Sequence, residues 1–238
     1  MKKVMIITGK ELRSFFYSPL AYVILTIYSL LSGYFFTNIV FETKSADSFS
    51  QFTVIIAGFF LLFMPLITMR LFAEENKMGT FELILSYPLE SWHLVAGKFI
   101  ASFLFSLLML VPALIYVSFL SMYSLPDYGL IFSCIVGLIF LMAAFISIGI
   151  FASSLTKNQV IASMMSLGIL IFLWSFDFIR GLVDYTWDRM ISALSVRYNF
   201  HLFSQGVIDS RAVVLFLSIT FIMLFLTVKN IEDKRYRS

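Results

Sequence analysis

SFSQFTVIIAGFFLLFMPLITMRLFAEENKMGTFELILSYPLESWHLVAGK, residues 48–98, decides what kind of fold this chain can adopt. Residues 48–69 carry no charge, and a helix needs about 20 such residues to cross the ~30 Å hydrocarbon core of a bilayer. The polar segment that follows, 70–98, opens with Arg70 and brings the acidic pair Glu74 and Glu75. It then runs through Gly79-Thr80 to a short apolar helix pattern, Phe81, Ile84 and Leu85 with Glu82 on the wet side, and on to Pro88. Little else between the apolar runs is so long and so polar. This order of residues reads as a docking element for something soluble, not as a loop that merely connects.

Composition sets the solvent for the rest. With 60% hydrophobic and 13% charged residues in 238, the chain has too little polar surface for a water-soluble globule. Uncharged runs lie at 14–41, 48–69, 99–126, 128–156, 158–176 and 212–228, which predicts six spanning helices, the last and shortest borrowing the stem of Lys229. A lipid-facing β-barrel would alternate polar and apolar residues over about ten positions, and these runs are apolar on all sides. The expected fold is therefore an all-α membrane protein of one domain, 1–238. Lys10, Glu11 and Arg13 interrupt the N-terminal apolar stretch too soon for a cleaved leader.

Orientation follows from the basic residues, which accumulate in cytoplasmic loops. With the N-terminus inside, twelve fall on the inner side and five, Lys44, Arg180, Arg189, Arg197 and Arg211, on the outer. Both termini are expected in the cytoplasm, and the net charge of +3 reflects topology, with no pointer to nucleic acid. Two further amphipathic pieces flank the spans. In residues 1–19, Val4, Ile7, Leu12, Phe15 and Phe16 can share one side, with Lys3, Lys10, Glu11 and Arg13 on the other, a basic helix lying along the membrane before a bend at Pro19. In 178–210, the spacing of Ile179, Leu182, Val183, Trp187, Met190, Ile191 and Leu194 predicts an outer interfacial helix with Trp187 at headgroup depth. The spacing fits a lid or an ordinary interfacial helix equally.

Chemistry inside the bundle is sparse. No G-x-x-x-x-G-K-[ST] is present, so ATP-driven work needs another polypeptide. His93 and His201 fall on opposite sides of the membrane by this topology and cannot share a metal. Cys134 is the only cysteine and reads as a packing residue. Asp177 is the one acid near the interior of a span, with Arg180 its expected partner, and one such group makes no proton relay. The twelve methionines are scattered. Small residues four apart, Ala143 with Ser147, Gly149 with Ser153 and Ala162 with Ser166, permit close helix approach.

Residues 65–98 resemble the permease subunits of ABC-2 type exporters, and within them the gliding-motility-associated class: a basic residue, acids, Gly-Thr, Glu, an apolar pair, Pro and a terminal Gly-Lys. A second similarity runs from His201 to the end, and a third covers residues 14–19. The resemblance implies that 70–98 carries a cytoplasmic coupling helix seated in a separately encoded ABC ATPase, with Glu74, Glu75, Gly79, Thr80, Glu82 and Pro88 as the docking residues. Thr80 would cap that helix, and Pro88 would end it before Ser91 caps the next. It also implies an elbow helix at 1–19, an outer helix before the last span, and an outer Gly-x-Ile-Asp at Gly206, Ile208 and Asp209 that turns the chain into that span.

The expected function is that of the transmembrane subunit of an ATP-driven exporter in a bacterial inner membrane, with no enzymatic site. It would hold no cofactor itself, ATP and Mg belonging to the ATPase. It would pair with a second copy or a sister permease, contact membrane lipid, and leave room for an outer accessory protein. The alternatives are a permease serving metalloenzyme maturation, and a membrane scaffold or sensor that docks a soluble partner without transporting anything.

Overall fold

A computed structural model describes residues 2–43, 48–79, 90–123, 127–179 and 191–237. Its elements are helices: α1 Lys2–Tyr17, α2 Pro19–Thr43, α3 Ser48–Thr68, α4 Arg70–Met78, α5 Ser91–Ser106, a 3₁₀ turn Leu107–Leu110, α6 Val111–Tyr123, α7 Tyr128–Leu155, α8 Gln159–Ile179, α9 Val196–Ser204 and α10 Ser210–Arg237. Six stretches are long and apolar enough to cross a membrane, Pro19–Phe41, Ser48–Met78, Ser91–Met122, Tyr128–Leu155, Gln159–Phe178 and Ser210–Arg235. The chain is an all-α, multi-pass membrane protein.

Proline and glycine chemistry explains where these helices break. Pro19 is the first residue of α2, where its missing N–H costs nothing, and Ser18 separates it from α1. In span three, Pro112 cannot donate to the carbonyl of Leu108, and a 3₁₀ turn ends at Leu110, two residues before it. Span two behaves differently: Pro65 lies inside α3, and Met69 alone separates α3 from α4, so the span runs on into the polar segment. The last helix also exceeds the sequence reading, continuing unbroken to Arg237. Lys229 is therefore one residue of a helix that continues past it, not the end of a short one.

Span four is the most buried and span five the least. Its small residues make that central place possible. A Cβ on Gly149 would collide with Thr68 Oγ1 at the end of α3, and one on Gly137 would stand 2.5 Å from Phe203 Cβ in α9. The Gly149 and Ser153 pair thus marks the seat of span two and α4 on span four, which spacing alone left unassigned. Aromatic rings fill the space between spans one, two and three. Phe36 stacks on Tyr116 at 4.5 Å, Phe52 meets Tyr116 edge-on at 5.5 Å, and Tyr28 meets Phe63 edge-on at 5.7 Å. Cys134 is buried within this bundle, its Sγ 3.8 Å from the carbonyls of Phe203 and Ser204.

Glycine substitutions separate packing from propensity. Gly149→Ala is expected to lower the unfolding midpoint in detergent, at an overpacking cost of about 1–3 kcal/mol. Gly168→Ala, where a Cβ meets nothing within 4 Å, should leave it unchanged or raise it, since Ala favours a helix by about 1 kcal/mol.

A candidate docking site at one end of the bundle

The polar segment after span two is built onto the bundle by a buried cation. Lys98, about two turns into α5, has a side chain only 1% exposed. Its ammonium carries three protons, and three acceptors surround it: Glu11 Oε1 at 3.0 Å, Glu75 Oε1 at 2.9 Å and the Leu71 carbonyl at 2.7 Å. The Phe72 ring lies beneath, 5.0 Å from Nζ. Glu11 comes from α1, Glu75 and Leu71 from α4, so one side chain ties three elements together. Lys10 stands at the rim, 3.8 Å from Glu75 and 4.0 Å from Glu11. Being largely exposed, it adds little against solvent screening.

Local sequence explains the geometry. Gly97, next to Lys98, lets α1 come close: a Cβ there would lie 2.7 Å from Ile7 Cγ2, and Thr8 Oγ1 donates to the Gly97 carbonyl at 3.2 Å. The terminal Gly-Lys of the sequence pattern is thus one device, the glycine making room and the lysine holding. The sequence pattern puts Glu11 on the wet face of α1, and the structure corrects this. Glu11 is buried beside Phe15, because the inward stripe runs Val4, Ile7, Thr8, Glu11, Phe15 and the ammonium of Lys98 waits at the Glu11 position. The sequence signal for it was an acid falling in register with that apolar stripe. A lone lysine at the edge of the uncharged run 99–126 was the matching signal for Lys98.

The start of α4 is fixed by its neighbours. Its N-terminal N–H groups have no partner within the helix, and Ser153 Oγ of span four accepts from Phe72 N at 3.0 Å and Ala73 N at 3.1 Å while donating to the Met69 carbonyl at 2.9 Å. Arg70 donates to the Ser14 carbonyl at 3.3 Å and lies 4.6 Å over the Phe15 ring, which itself stacks on Phe105 at 4.7 Å. Asn76 donates to the Thr156 carbonyl at 3.3 Å. The C-terminal end of α10 reaches the same place, Asn230 and Lys234 donating to the Ser154 carbonyl at 3.1 and 2.6 Å. Cations and donors at the last carbonyls of a helix satisfy them and oppose its dipole. Both termini and the polar segment therefore share one end of the bundle.

The expected docking residues divide. Glu75 faces inward, its side chain 14% exposed, while Glu74 is half-buried. Gly79 closes α4 in the left-handed region, φ 71°, a conformation that suits glycine. Thr80, Glu82 and Pro88 lie outside the described residues, as does Trp187. Ser91 does not cap the next helix: it is the first residue of α5, and Glu90 is the cap, without a side-chain bond. At the opposite end, Gly206, φ 85°, terminates α9, with its N–H bonded to the Phe203 carbonyl at 3.1 Å and that of Val207 to the Leu202 carbonyl at 3.1 Å. Asp209 then caps α10, its Oδ1 accepting from Arg211 N at 2.9 Å. These two residues are a helix stop and a helix start. Asp177 faces Arg197 of α9, with Oδ2 3.6 Å from Nε, while the anticipated Arg180 lies outside the described residues.

The sequence model of the family described as ABC-2 family transporter protein matches residues 5–183, well over half of the chain and all of the end just described apart from α10. The chain belongs to that family. It is accordingly the permease subunit of an ABC transporter, a membrane component whose family works with an ABC ATPase subunit. A search of curated proteins returned no match. In the permease, Lys98, Glu11 and Ser153 are positioning residues, a role that the Gly-Lys pattern, the amphipathic reading of α1 and the Gly149 spacing do not express.

Ser153→Ala removes the acceptor for two buried N–H groups in the permease, and each such orphan costs about 1–3 kcal/mol. The variant is expected to lose thermal stability and to speed proteolysis after α4. Asp209→Ala, at an exposed cap, should cost only ~1 kcal/mol and leave α4 protected.

Proposed function

We propose that this permease drives export of a substrate across a bacterial inner membrane, with the segment 70–98 as the coupling element on which a cytoplasmic ABC ATPase sits. One observation carries the reading beyond the family: span two continues into a polar helix that is fixed at its root by Lys98 and Ser153 and ends at Gly79, at the end of the bundle where α1 and the last turns of α10 also lie. A stiff rod leading out of the membrane is what a soluble motor needs to push on. Glu74, Gly79, Thr80, Glu82 and Pro88 form the docking element in this proposal, and Glu75 holds it from inside.

ATP and Mg would bind the ATPase and not this chain. Closure of two ATPase copies would move the coupling elements of two permeases, either identical or sisters, between inward-open and outward-open states. The excess of basic residues at the end shared by both termini supports a cytoplasmic placement of that end. An outer accessory protein would meet the segment before span six. The gliding-motility association is a narrower form of the proposal and rests on the resemblance of residues 65–98 and 201–236 alone.

Purification of the tagged chain from its native membrane in mild detergent, with mass identification of every subunit and an ATP hydrolysis assay, tests this. The expected result is a stoichiometric P-loop ATPase. Glu82→Lys should leave insertion intact and weaken the complex by about tenfold, the equivalent of ~1.4 kcal/mol. Recovery of the chain without an ATPase favours the scaffold or sensor.

A further inference from the structure

The geometry points to Lys98 as the joint through which movement of the coupling element reaches span three and the elbow helix, an inference that rests on the exporter reading. The coupling element is an extension of span two, bonded to α1 by Arg70 and to span four by Ser153 and Asn76. Lys98 adds the charged link to span three and a second one to α1. Its ammonium holds α4 at two successive turns, through the Leu71 carbonyl at 2.7 Å and Glu75 Oε1 at 2.9 Å, and holds α1 through Glu11 Oε1 at 3.0 Å, while its own backbone belongs to span three.

Apolar contacts resist compression and let helices slide, being non-directional. A buried ammonium with one acceptor for each proton does not allow sliding, because separating any partner leaves a buried charge or donor unmatched. The joint therefore transmits pull as well as push. Its second limb is reinforced by contacts that would carry the motion onward: Thr8 to the Gly97 carbonyl, and Phe15 between Arg70 and Phe105. By contrast, Ser153 and Asn76 tie α4 to span four, which makes span four the fulcrum against which α4 turns. Lys98 is a positioning residue in this scheme, acting through Glu11, Leu71 and Glu75.

The test uses the complex of permease and ATPase in a Cys134→Ala background. Spin labels at Met5→Cys on the elbow helix and Phe221→Cys on span six, both well exposed, report their distance with and without ATP and vanadate. The parent complex should show a nucleotide-driven shift. The variant Glu11→Met, Glu75→Met, Lys98→Met removes the charges together, so no buried charge is orphaned, and replaces the joint by apolar packing. Loss of the shift in that variant while the ATPase remains bound supports the joint; an undiminished shift overturns it, leaving the ionic cluster a matter of stability only.

Should the triple variant fail to assemble, Glu11→Leu decides. It lies outside the docking element and leaves Lys98 paired with Glu75. Loss of the elbow shift supports the joint and retention overturns it. A parent chain that binds no ATPase, or an ATPase-bound parent with no shift, contradicts the exporter reading itself, and that failure is separate from the failure of Lys98.

Discussion

A lysine buried to 1% exposure between two glutamates is the constraint on which this end of the molecule depends. Removing an ammonium from water costs several kcal/mol even after relaxation, and breaking such a cluster by deleting one partner costs about 3–5 kcal/mol. The bundle meets the first cost by giving every proton of Lys98 an acceptor, and the second cost then locks α1, α4 and α5 in register. Without that arrangement, α4 would keep its bonds to Ser153, Thr156 and Ser14 but lose the charged link that joins it to α5. With it, α4 is held against α1 and α5 in a fixed place.

The remainder of the fold serves the same placement. Span four is the central post, made narrow at Gly137 and Gly149 so that α9 and span two lie against it. Its polar end, Ser153 to Thr156 in sequence, receives α4 and α10 through side chains that satisfy terminal backbone groups. Membrane helices gain little from apolar contact with one another, since lipid is equally apolar, and close packing with a few polar bonds decides their arrangement. Here those polar bonds cluster at one end, where α1, α4 and the C-terminal end of α10 come together.

The spans were legible because they rest on length and charge alone, and bilayer thickness leaves few alternatives. Pro19 as a helix start was legible too, for its chemistry is local, whereas Gly206 and Asp209 were named through the resemblance alone. Ser91 misled because a serine at a helix start suggests a cap, while the chain enters α5 one residue earlier, at Glu90. Glu11 misled for a deeper reason. A carboxylate on a helix near a membrane is assigned to water by default, and only knowledge of which lysine lies opposite can reverse that. Lys98 and Glu11 stand 87 positions apart, and no periodicity links them. The same holds for Ser153, whose spacing from Gly149 signalled close approach without saying what approaches. Glu75 was singled out by resemblance as a docking residue, and its contacts give it an inward structural place that a motif cannot express.

The most direct measurement is a double-mutant cycle on Lys98 and Glu75, with unfolding followed in detergent micelles. Lys98→Met should destabilise strongly, Glu75→Met moderately, and Glu75→Met should become stabilising once Lys98 is methionine, because it then removes an orphaned charge. A coupling on the order of 1–3 kcal/mol is expected for residues in one ionic network. Changes that add within about 0.5 kcal/mol, the behaviour of independent sites, would contradict the buried cluster and with it the rigid attachment of α4.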